Sequence, residues 1–311
     1  MGMLKGYYLQ PDAPDPVLSD AEVLRCVRRF VPGARAVAGA DESGGEARTY
    51  AIDGDLVLKV QRPQQVRVGT SLAREVFFLN QLAAEAPDLP VTRVLGYARE
   101  TNLLEYNLQT CMPGAAVANA TLAPNARRQV IFEVGRVLRR IHAIPQAPFH
   151  ASAHFPTDLN AAEFKARLAQ YFEVIARQMD KNGRAWPLSA SFETVTARTL
   201  AALPETAECV ALHSNPGPPH AFVDPASGHF TELIDSGDAY ISHPALDLWR
   251  WRWSDERSAV LAGYTADAPV SNDFMQTWRA VEAMAGALLV AFFPERQDEA
   301  VSDLQTSIRN L

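Results

Sequence analysis

The 311-residue chain contains 48% hydrophobic and 21% charged residues, the balance of an ordinary soluble globular protein, and it is long enough for two domains. Its formal net charge of −7 argues against a non-specific nucleic-acid binder, which normally presents a basic face. The three cysteines are far apart and form no CxxC pair, so we expect reduced, buried thiols. No apolar run reaches membrane-spanning length and no signal-peptide core opens the chain, so we expect a cytoplasmic protein without membrane partners.

The first third of the chain has the pattern of a small β-rich unit. Ser19 and Glu22 have the spacing of a capping box, which predicts a short helix after Ser19. A second helix is predicted at residues 71–86 from apolar residues that share one face. Short connections between the β-type runs favour an antiparallel sheet of about five strands. The predicted strands lie at residues 34–39, 47–53, 55–63, 91–98 and 101–112.

From about Pro124 the pattern becomes helical. Long amphipathic helices are predicted at residues 126–144, 164–179 and 192–203. One β-rich island, at residues 209–248, separates them from the C-terminal helices. We therefore predict an N-terminal lobe at residues 1–112 and a helical C-terminal lobe at residues 113–311, joined by a short hinge near residues 110–114.

The loop between the first two predicted strands, GADESGGEARTY, could fold over a triphosphate with its backbone amides. Ser43 and Gly44 are its candidate nucleotide-binding residues. An ordinary hairpin turn explains the loop equally well when the loop is taken alone. The loop is not a Walker A motif, because no Gly-Lys-Ser/Thr follows it.

Lys59 lies inside the apolar strand LVLKV. A buried strand excludes an ammonium group unless a fixed anion lies nearby, and Glu75 in the following helix is the natural candidate. A lysine–glutamate pair of this kind holds the α- and β-phosphates of the nucleotide in kinase-like folds. The alternative is an edge lysine on a half-exposed strand.

Two segments of the island resemble the aminoglycoside phosphotransferase and choline kinase-like family. HSNPGPPH at residues 213–220 resembles the family's His-Gly-Asp-x-x-x-x-Asn loop. IDSGDA at residues 234–239, followed by PALDL at residues 244–248, is similar to the family's Ile-Asp-Phe-Gly-Asp-Ala segment and Pro-x-x-Asp-Leu helix start. The resemblance implies an α+β, two-lobed protein kinase-like fold with a small antiparallel-sheet N-lobe and a larger helical C-lobe.

The resemblance also implies roles for individual residues. Asp235 matches the metal-binding aspartate, and His220 stands where the family has a metal-binding asparagine. Asn215 stands at the position of the catalytic aspartate, and with His213 it would shape the acceptor site. ATP or GTP with Mg²⁺ would be the cofactors, and the acceptor would be a hydroxyl group of a small molecule. Asp247 would brace the catalytic loop or, alternatively, cap the helix that follows it.

The two departures from the family pattern leave two hypotheses open. An amide at Asn215 can hydrogen-bond a hydroxyl but cannot take its proton at neutral pH. His220 could bind a divalent ion through its imidazole, although magnesium prefers oxygen. General-base help is worth roughly two to four orders of magnitude, so the chain is either a weak phosphotransferase or a catalytically inactive kinase-like nucleotide- or ligand-binding module.

Two further features have structural interpretations. His142 near the end of a predicted helix is expected to be a hydrogen-bonded interior histidine without a chemical role. In the run WRWRW, Trp249 and Trp253 are four residues apart and would share one face of a helix, so core packing is the favoured interpretation. The alternative is an aromatic wall for a cationic ligand.

Overall fold

A computed structural model describes most of the chain. The described residues are 17–41, 45–62, 72–100, 104–111, 114–155 and 160–311. They form a mixed α/β structure with an antiparallel sheet in the N-terminal part and helices in the C-terminal part, which confirms the predicted fold class. None of the described helices combines the length and the apolar character that crossing a membrane requires.

The described chain divides into two compact units. Unit 1 contains the described residues of Met1–Ala126, Ala143–Pro156 and His213–Ala239, and unit 2 contains those of Arg127–His142, Thr157–Leu212 and Tyr240–Leu311. The segment 213–239, which the sequence-based division placed in the C-terminal lobe, therefore clusters with the N-terminal sheet. The assignment of residues 1–112 to nucleotide binding and of residues 113–311 to acceptor binding stays a prediction.

The main sheet of unit 1 has five strands, and every neighbouring pair in it is antiparallel, as predicted. The strands are β1 (Val37–Asp41), β2 (Ala47–Ile52), β3 (Leu56–Gln61), β4 (Val94–Arg99) and β5 (Glu105–Thr110). Their spatial order is β1-β2-β3-β5-β4, so β3 lies between β2 and β5. Lys59 is therefore on the central strand, where it pairs with Thr49 and Asn107. The alternative of an edge lysine is wrong.

The two faces of this sheet differ in chemistry because side chains alternate along each strand. Helix α1 (Asp20–Arg28) begins with the predicted Ser19–Glu22 capping box and packs on the apolar face. The core there includes Leu58 of β3 and Leu108 of β5, which are fully buried. Lys59 and Asn107 are the next residues in their strands and point to the opposite face, on which helix α2 (Leu72–Glu85) supplies Glu75.

A second, three-stranded sheet of unit 1 carries the segment from the β-rich island. Its strands are β6 (Ala115–Ala116), β8 (Ala221–Val223) and β9 (Phe230–Leu233), in the order β6-β8-β9. The end of β9 is fastened to the segment before β4, since Leu233 N–H donates to the Pro90 carbonyl at 2.9 Å and Leu233 bridges Val91. This connection fixes the residues that follow Leu233 next to the main sheet. A short helix, α4 (Ala147–His150), completes unit 1.

Unit 2 is built mainly from helices. They are α3 (Pro124–His142, whose first turn belongs to unit 1), α5 (Ala161–Lys181), α6 (Phe192–Ala201), α7 (Ala245–Leu248), α8 (Ser254–Tyr264), α9 (Asn272–Phe292) and α10 (Gln297–Arg309). Helix α9 is central, because its buried residues cover most of its circumference and it packs against α5, α6, α7 and α10. Strands β7 (Val210–Leu212) and β10 (Tyr240–Ser242) form a short antiparallel pair.

Helices α3 and α8 approach each other closely at Gly263. A Cβ atom on Gly263 would lie 1.9 Å from the Phe132 carbonyl oxygen, so Gly263→Ala must push the two helices apart. We expect this change to lower the free energy of unfolding by about 1–3 kcal/mol despite alanine's better helix propensity. Urea unfolding followed by circular dichroism measures the loss. Gly33→Ala, where nothing lies within 4 Å of the added carbon, is the control and should leave stability nearly unchanged.

Candidate functional site

The site begins with an ion pair on the polar face of the main sheet. Lys59 Nζ lies 2.8 Å from Glu75 Oε1, and the Glu75 side chain is completely buried. Asn107 on the neighbouring strand donates from its amide Nδ2 to the other carboxylate oxygen of Glu75 at 3.3 Å. The partner that the sequence suggested for Lys59 is therefore present, and both oxygens of Glu75 have a donor.

A second carboxylate shares the same ammonium group. Lys59 Nζ lies 2.9 Å from Oδ1 of Asp235, a residue 176 positions later in the chain. The Asp235 side chain is 35% exposed, whereas that of Lys59 is only 12% exposed. One lysine of β3 therefore joins helix α2 to the segment that follows β9.

These contacts control the charge state of the pair. The Lys59 ammonium holds the pKa of Asp235 well below its usual range, against the opposing effect of burial, and His220 adds to the lowering. Burial lowers the pKa of Lys59, but the Asp235 and Glu75 carboxylates outweigh it, so its pKa is raised overall. Because the pKa of Asp235 is depressed, the pair stabilises the fold at neutral pH and is lost only as the pH falls below the ordinary carboxyl range.

The loop at residues 213–220 brings an imidazole to the same carboxylate. His220 Nδ1 lies 2.8 Å from the backbone carbonyl oxygen of Asn215, and His220 Nε2 lies 3.4 Å from Asp235 Oδ2. The backbone also joins the two segments, since Ile234 N–H donates to the His220 carbonyl at 3.0 Å. The two predicted metal ligands, Asp235 and His220, are therefore neighbours in the structure.

Two residues of the site have strained backbones. Ser214 has a φ of +76° and Asp235 a φ of +67°, in the left-handed region that costs an L-residue with a side chain roughly 1–2 kcal/mol. Such strain occurs preferentially at functional sites, where the surrounding structure imposes it. At Ser214 the family pattern has glycine, which adopts this conformation without cost.

The other residues predicted for the site are His213, Asn215, Ser43 and Gly44. His213 is buried at the start of the loop, and Asn215, half-buried, contributes its carbonyl oxygen to His220. Ser43 and Gly44 lie outside the described residues. In the part of the chain that the structure describes, no group of three or more His, Cys, Asp or Glu side chains converges on one point. Asp235 and His220 are therefore a two-residue candidate set.

Sequence reasoning missed one member of the site. Asn107 is completely buried on the central part of the sheet and holds the Glu75 carboxylate. The available signal was an amide between two apolar residues, Tyr106 and Leu108, in the middle of the strand EYNLQT. The register that sets Asn107 opposite Lys59 appears only when β3 and β5 pair.

A separate polar cluster lies inside unit 2. His142 Nε2 is 2.9 Å from Asp247 Oδ2, and His142 Nδ1 is 3.0 Å from the Tyr264 hydroxyl. His142 is thus the hydrogen-bonded interior histidine that the sequence led us to expect. Helix α7 starts before Asp247, with Pro244 at the N-cap, so the alternative of Asp247 as a helix cap is wrong. Its bracing of the catalytic loop stays a prediction.

The tryptophan run is not helical, which overturns the spacing argument for it. Helix α7 ends at Leu248 and α8 begins at Ser254, so Trp249 and Trp253 lie on different elements. Trp249 is buried, as core packing requires, and the Arg250 guanidinium lies 4.5 Å from its ring centroid. The Arg296 guanidinium lies 3.5 Å from the centroid of the Trp253 ring. Cations of the protein itself cover these rings, which argues against an aromatic wall for a cationic ligand.

The sequence was also compared with known families. A model of the phosphotransferase enzyme family matches residues 38–283, which is most of the chain and includes the whole site. The chain belongs to this family. No curated protein matches it.

Solved structures of phosphotransferases share the fold. The apoenzyme of macrolide 2′-phosphotransferase MphH from Brachybacterium faecium is 17% identical, with a TM-score of 0.56 over 94% of this chain and 97% of that one. The GDP complex of an aminoglycoside 2′-phosphotransferase-IIIa mutant is 15% identical, with a TM-score of 0.63 over 94% and 98%. ADP-bound aminoglycoside phosphotransferase APH(2″)-Ib is 15% identical, with a TM-score of 0.57 over 94% and 97%. Identities this low establish the fold alone.

Relief of the strain at Ser214 is testable. We expect Ser214→Gly to raise the free energy of unfolding by about 0.5–1 kcal/mol, because glycine removes the left-handed penalty and gives back part of that gain as chain entropy. Urea unfolding measures the change. Asp53→Gly is the matched comparison: Asp53 also has a positive φ, but its carboxylate accepts from the backbone N–H groups of Arg35 and Ala36, so this change should not stabilise. A destabilised Ser214→Gly would contradict the strain argument.

Proposed function

We propose that the protein is a nucleotide-dependent phosphotransferase, which moves the γ-phosphoryl group of ATP or GTP to a hydroxyl group of a small molecule. The observation that carries this proposal is the network in which Lys59 contacts Glu75 at 2.8 Å and Asp235 at 2.9 Å. A cluster of charged groups with shifted pKa values, of which one carboxylate is partly exposed, is a common feature of functional sites. Membership of the phosphotransferase enzyme family supports the same function.

Lys59 is the residue that we assign to the nucleotide phosphates. An ammonium group has three N–H donors, and Glu75 and Asp235 engage two of them. The third donor would bind an oxygen of the α- or β-phosphate, while Glu75, fixed by Asn107, holds the lysine in position. The loop with Ser43 and Gly44 would cover the triphosphate, and the adenine would lie against the strand segment at residues 105–112.

A divalent ion fits the exposed side of Asp235. Oxygen Oδ1 is engaged by Lys59, whereas Oδ2 lies 3.4 Å from the imidazole Nε2 of His220, so one carboxylate oxygen and one nitrogen lie close enough to bind the same ion. Asp235 and His220 would hold the ion, Mg²⁺ or another divalent cation. When bound, the ion neutralises negative charge on the phosphate oxygens of the nucleotide.

Asn215 and His213 are the residues that we assign to the acceptor. Phosphoryl transfer passes through a loose transition state, so positioning of the hydroxyl and electrostatic stabilisation supply most of the rate. The Asn215 amide can orient the hydroxyl by a hydrogen bond but cannot accept its proton, so we expect slow transfer. Macrolide and aminoglycoside phosphotransferases share the fold, which supports a small hydroxylated acceptor of that general kind.

A second candidate function is a catalytically inactive nucleotide- or ligand-binding module. The observation that favours it is the pair of departures from the family pattern, an amide at Asn215 and an imidazole at His220, which lie in the same loop. Such a module would keep the Lys59 network and lack only the proton acceptor. Cytoplasmic location and the absence of nucleic-acid or membrane partners stay predictions under both candidates.

Nucleotide binding is the first test. We expect ATP, GTP or ADP with a divalent cation to raise the Tm by about 5 °C or more at a concentration near 100 times Kd, because a ligand that binds only the folded state stabilises it. Differential scanning fluorimetry measures the shift. Lys59→Met should abolish the shift, and Lys165→Met, an exposed lysine on α5, should keep it. Equal shifts in both variants, or none in the wild type, would contradict the proposal.

Asn215→Asp separates the enzyme from the binding module. If the loop is otherwise competent, a carboxylate at position 215 restores the proton acceptor and should raise kcat by roughly 10²–10⁴-fold. Phosphate transfer to a panel of hydroxylated acceptors, with nucleotide hydrolysis as background, measures it. Asn160→Asp adds the same charge at an exposed helix cap and should leave the rate unchanged. No gain in Asn215→Asp would favour the inactive module.

A further inference from the structure

The hydrogen bond of His220 to the backbone determines which ring nitrogen carries a proton. A carbonyl oxygen can only accept, so the 2.8 Å contact with the Asn215 carbonyl requires Nδ1 of His220 to be the donor. In the neutral ring, Nε2 then carries no proton, and its lone pair can bind a metal ion. Metal-binding histidines in proteins are usually held in this way, with the other ring nitrogen donating to a carbonyl or carboxylate.

The second contact of His220 places its other ring nitrogen beside a carboxylate oxygen. Nε2 lies 3.4 Å from Asp235 Oδ2. An imidazole nitrogen and a carboxylate oxygen are both metal ligands, so one cation can bind the two together. A separation of 3.4 Å is short enough for one ion to bind both atoms, since metal bonds to nitrogen and oxygen are roughly 2 Å long. The ring side chain is only 12% exposed, so it is held in this orientation.

We propose that this donor pair selects Mn²⁺ over Mg²⁺, an inference that rests on the proposed nucleotide-dependent function. Mg²⁺ demands oxygen ligands in near-ideal octahedral geometry and gives up its water reluctantly. Imidazole suits transition metals, whereas carboxylate, water and phosphate oxygens suit Mn²⁺ as well as Mg²⁺. One imidazole nitrogen among oxygens is a mixed set that Mn²⁺ accepts and Mg²⁺ disfavours. Since Lys59 engages Oδ1, Asp235 offers this ion a single oxygen.

The first measurement is the affinity for ADP in the presence of each metal. Isothermal titration at about pH 8, above the ordinary histidine range, should give a Kd for ADP at least about tenfold lower with Mn²⁺ than with Mg²⁺. In His220→Asn, which supplies an amide oxygen instead of the ring nitrogen, the two Kd values should converge. His229→Asn, an exposed histidine of the same unit, is the control and should behave as the wild type.

The second measurement observes the nitrogen directly. Pulsed electron paramagnetic resonance of Mn²⁺ bound to the protein, with and without ADP, should show coupling to one imidazole ¹⁴N in the wild type and in His229→Asn. The coupling should vanish in His220→Asn and in His220→Gln, which provides a second variant if one of them fails to fold. A coupling that persists in both variants, or equal ADP affinities with the two metals in the wild type, would overturn the inference.

The results distinguish a failure of the proposed function from a failure of the proposed metal selectivity. If ADP does not bind the wild type with either metal, the proposed function is wrong, and the spectrum of Mn²⁺ without nucleotide still decides whether His220 binds the ion. If ADP binds equally well with both metals and depends on Lys59, the nucleotide site stands and the metal selectivity is wrong.

Discussion

One buried ammonium group organises the site. A charge on the central strand of a sheet is costly to desolvate, and Lys59 is tolerated there because Glu75 and Asp235 both lie within 3 Å of it. These three residues belong to a strand, a helix and a distant segment, so the one interaction fixes three parts of unit 1 together. Removing Lys59 would leave two neighbouring carboxylates without their cation, which is more costly than the loss of a surface ion pair.

The arrangement of the sheet makes this interaction possible. The apolar face of β3 and β5 packs under helix α1, so the polar residues of the same strands are directed toward α2. Asn107 then satisfies the Glu75 oxygen that Lys59 does not reach. The fastening of Leu233 to Pro90 directs the end of β9 toward this face, and the left-handed backbone of Asp235 turns its carboxylate to the lysine.

The two departures from the family pattern, Asn215 and His220, lie in direct contact. His220 is held by the Asn215 carbonyl, so the residue at the position of the metal-binding asparagine is oriented by the residue at the position of the catalytic aspartate. Because the acceptor is a backbone atom, this contact orients the ring whatever side chain stands at position 215. The Lys59 network and the loop meet at one carboxylate, Asp235, which lies 2.9 Å from Lys59 and 3.4 Å from His220.

The sequence by itself determined the local structure. The capping box at Ser19, the five antiparallel strands and the amphipathic helices follow from spacing and periodicity, and burial of a lysine in an apolar strand was enough to predict an anionic partner in the next helix. The local pattern gave a wrong prediction at the tryptophan run. Helix α7 ends before Trp249, and residue spacing does not show where a helix ends when no proline or glycine follows it. The resemblance of the island to a family motif predicted Asp235 and His220 as a pair, but not their contacts.

Only the tertiary structure decided how the pieces meet. The Lys59–Asp235 contact joins residues 176 positions apart, and no periodicity or spacing encodes a distance of that length along the chain. The register that sets Asn107 beside Lys59, and the carbonyl that fixes the tautomer of His220, depend on strand pairing and on the path of one loop. Charge, hydrogen bonding and strain at the site are properties of these long-range contacts, so they emerge only when the chain has folded.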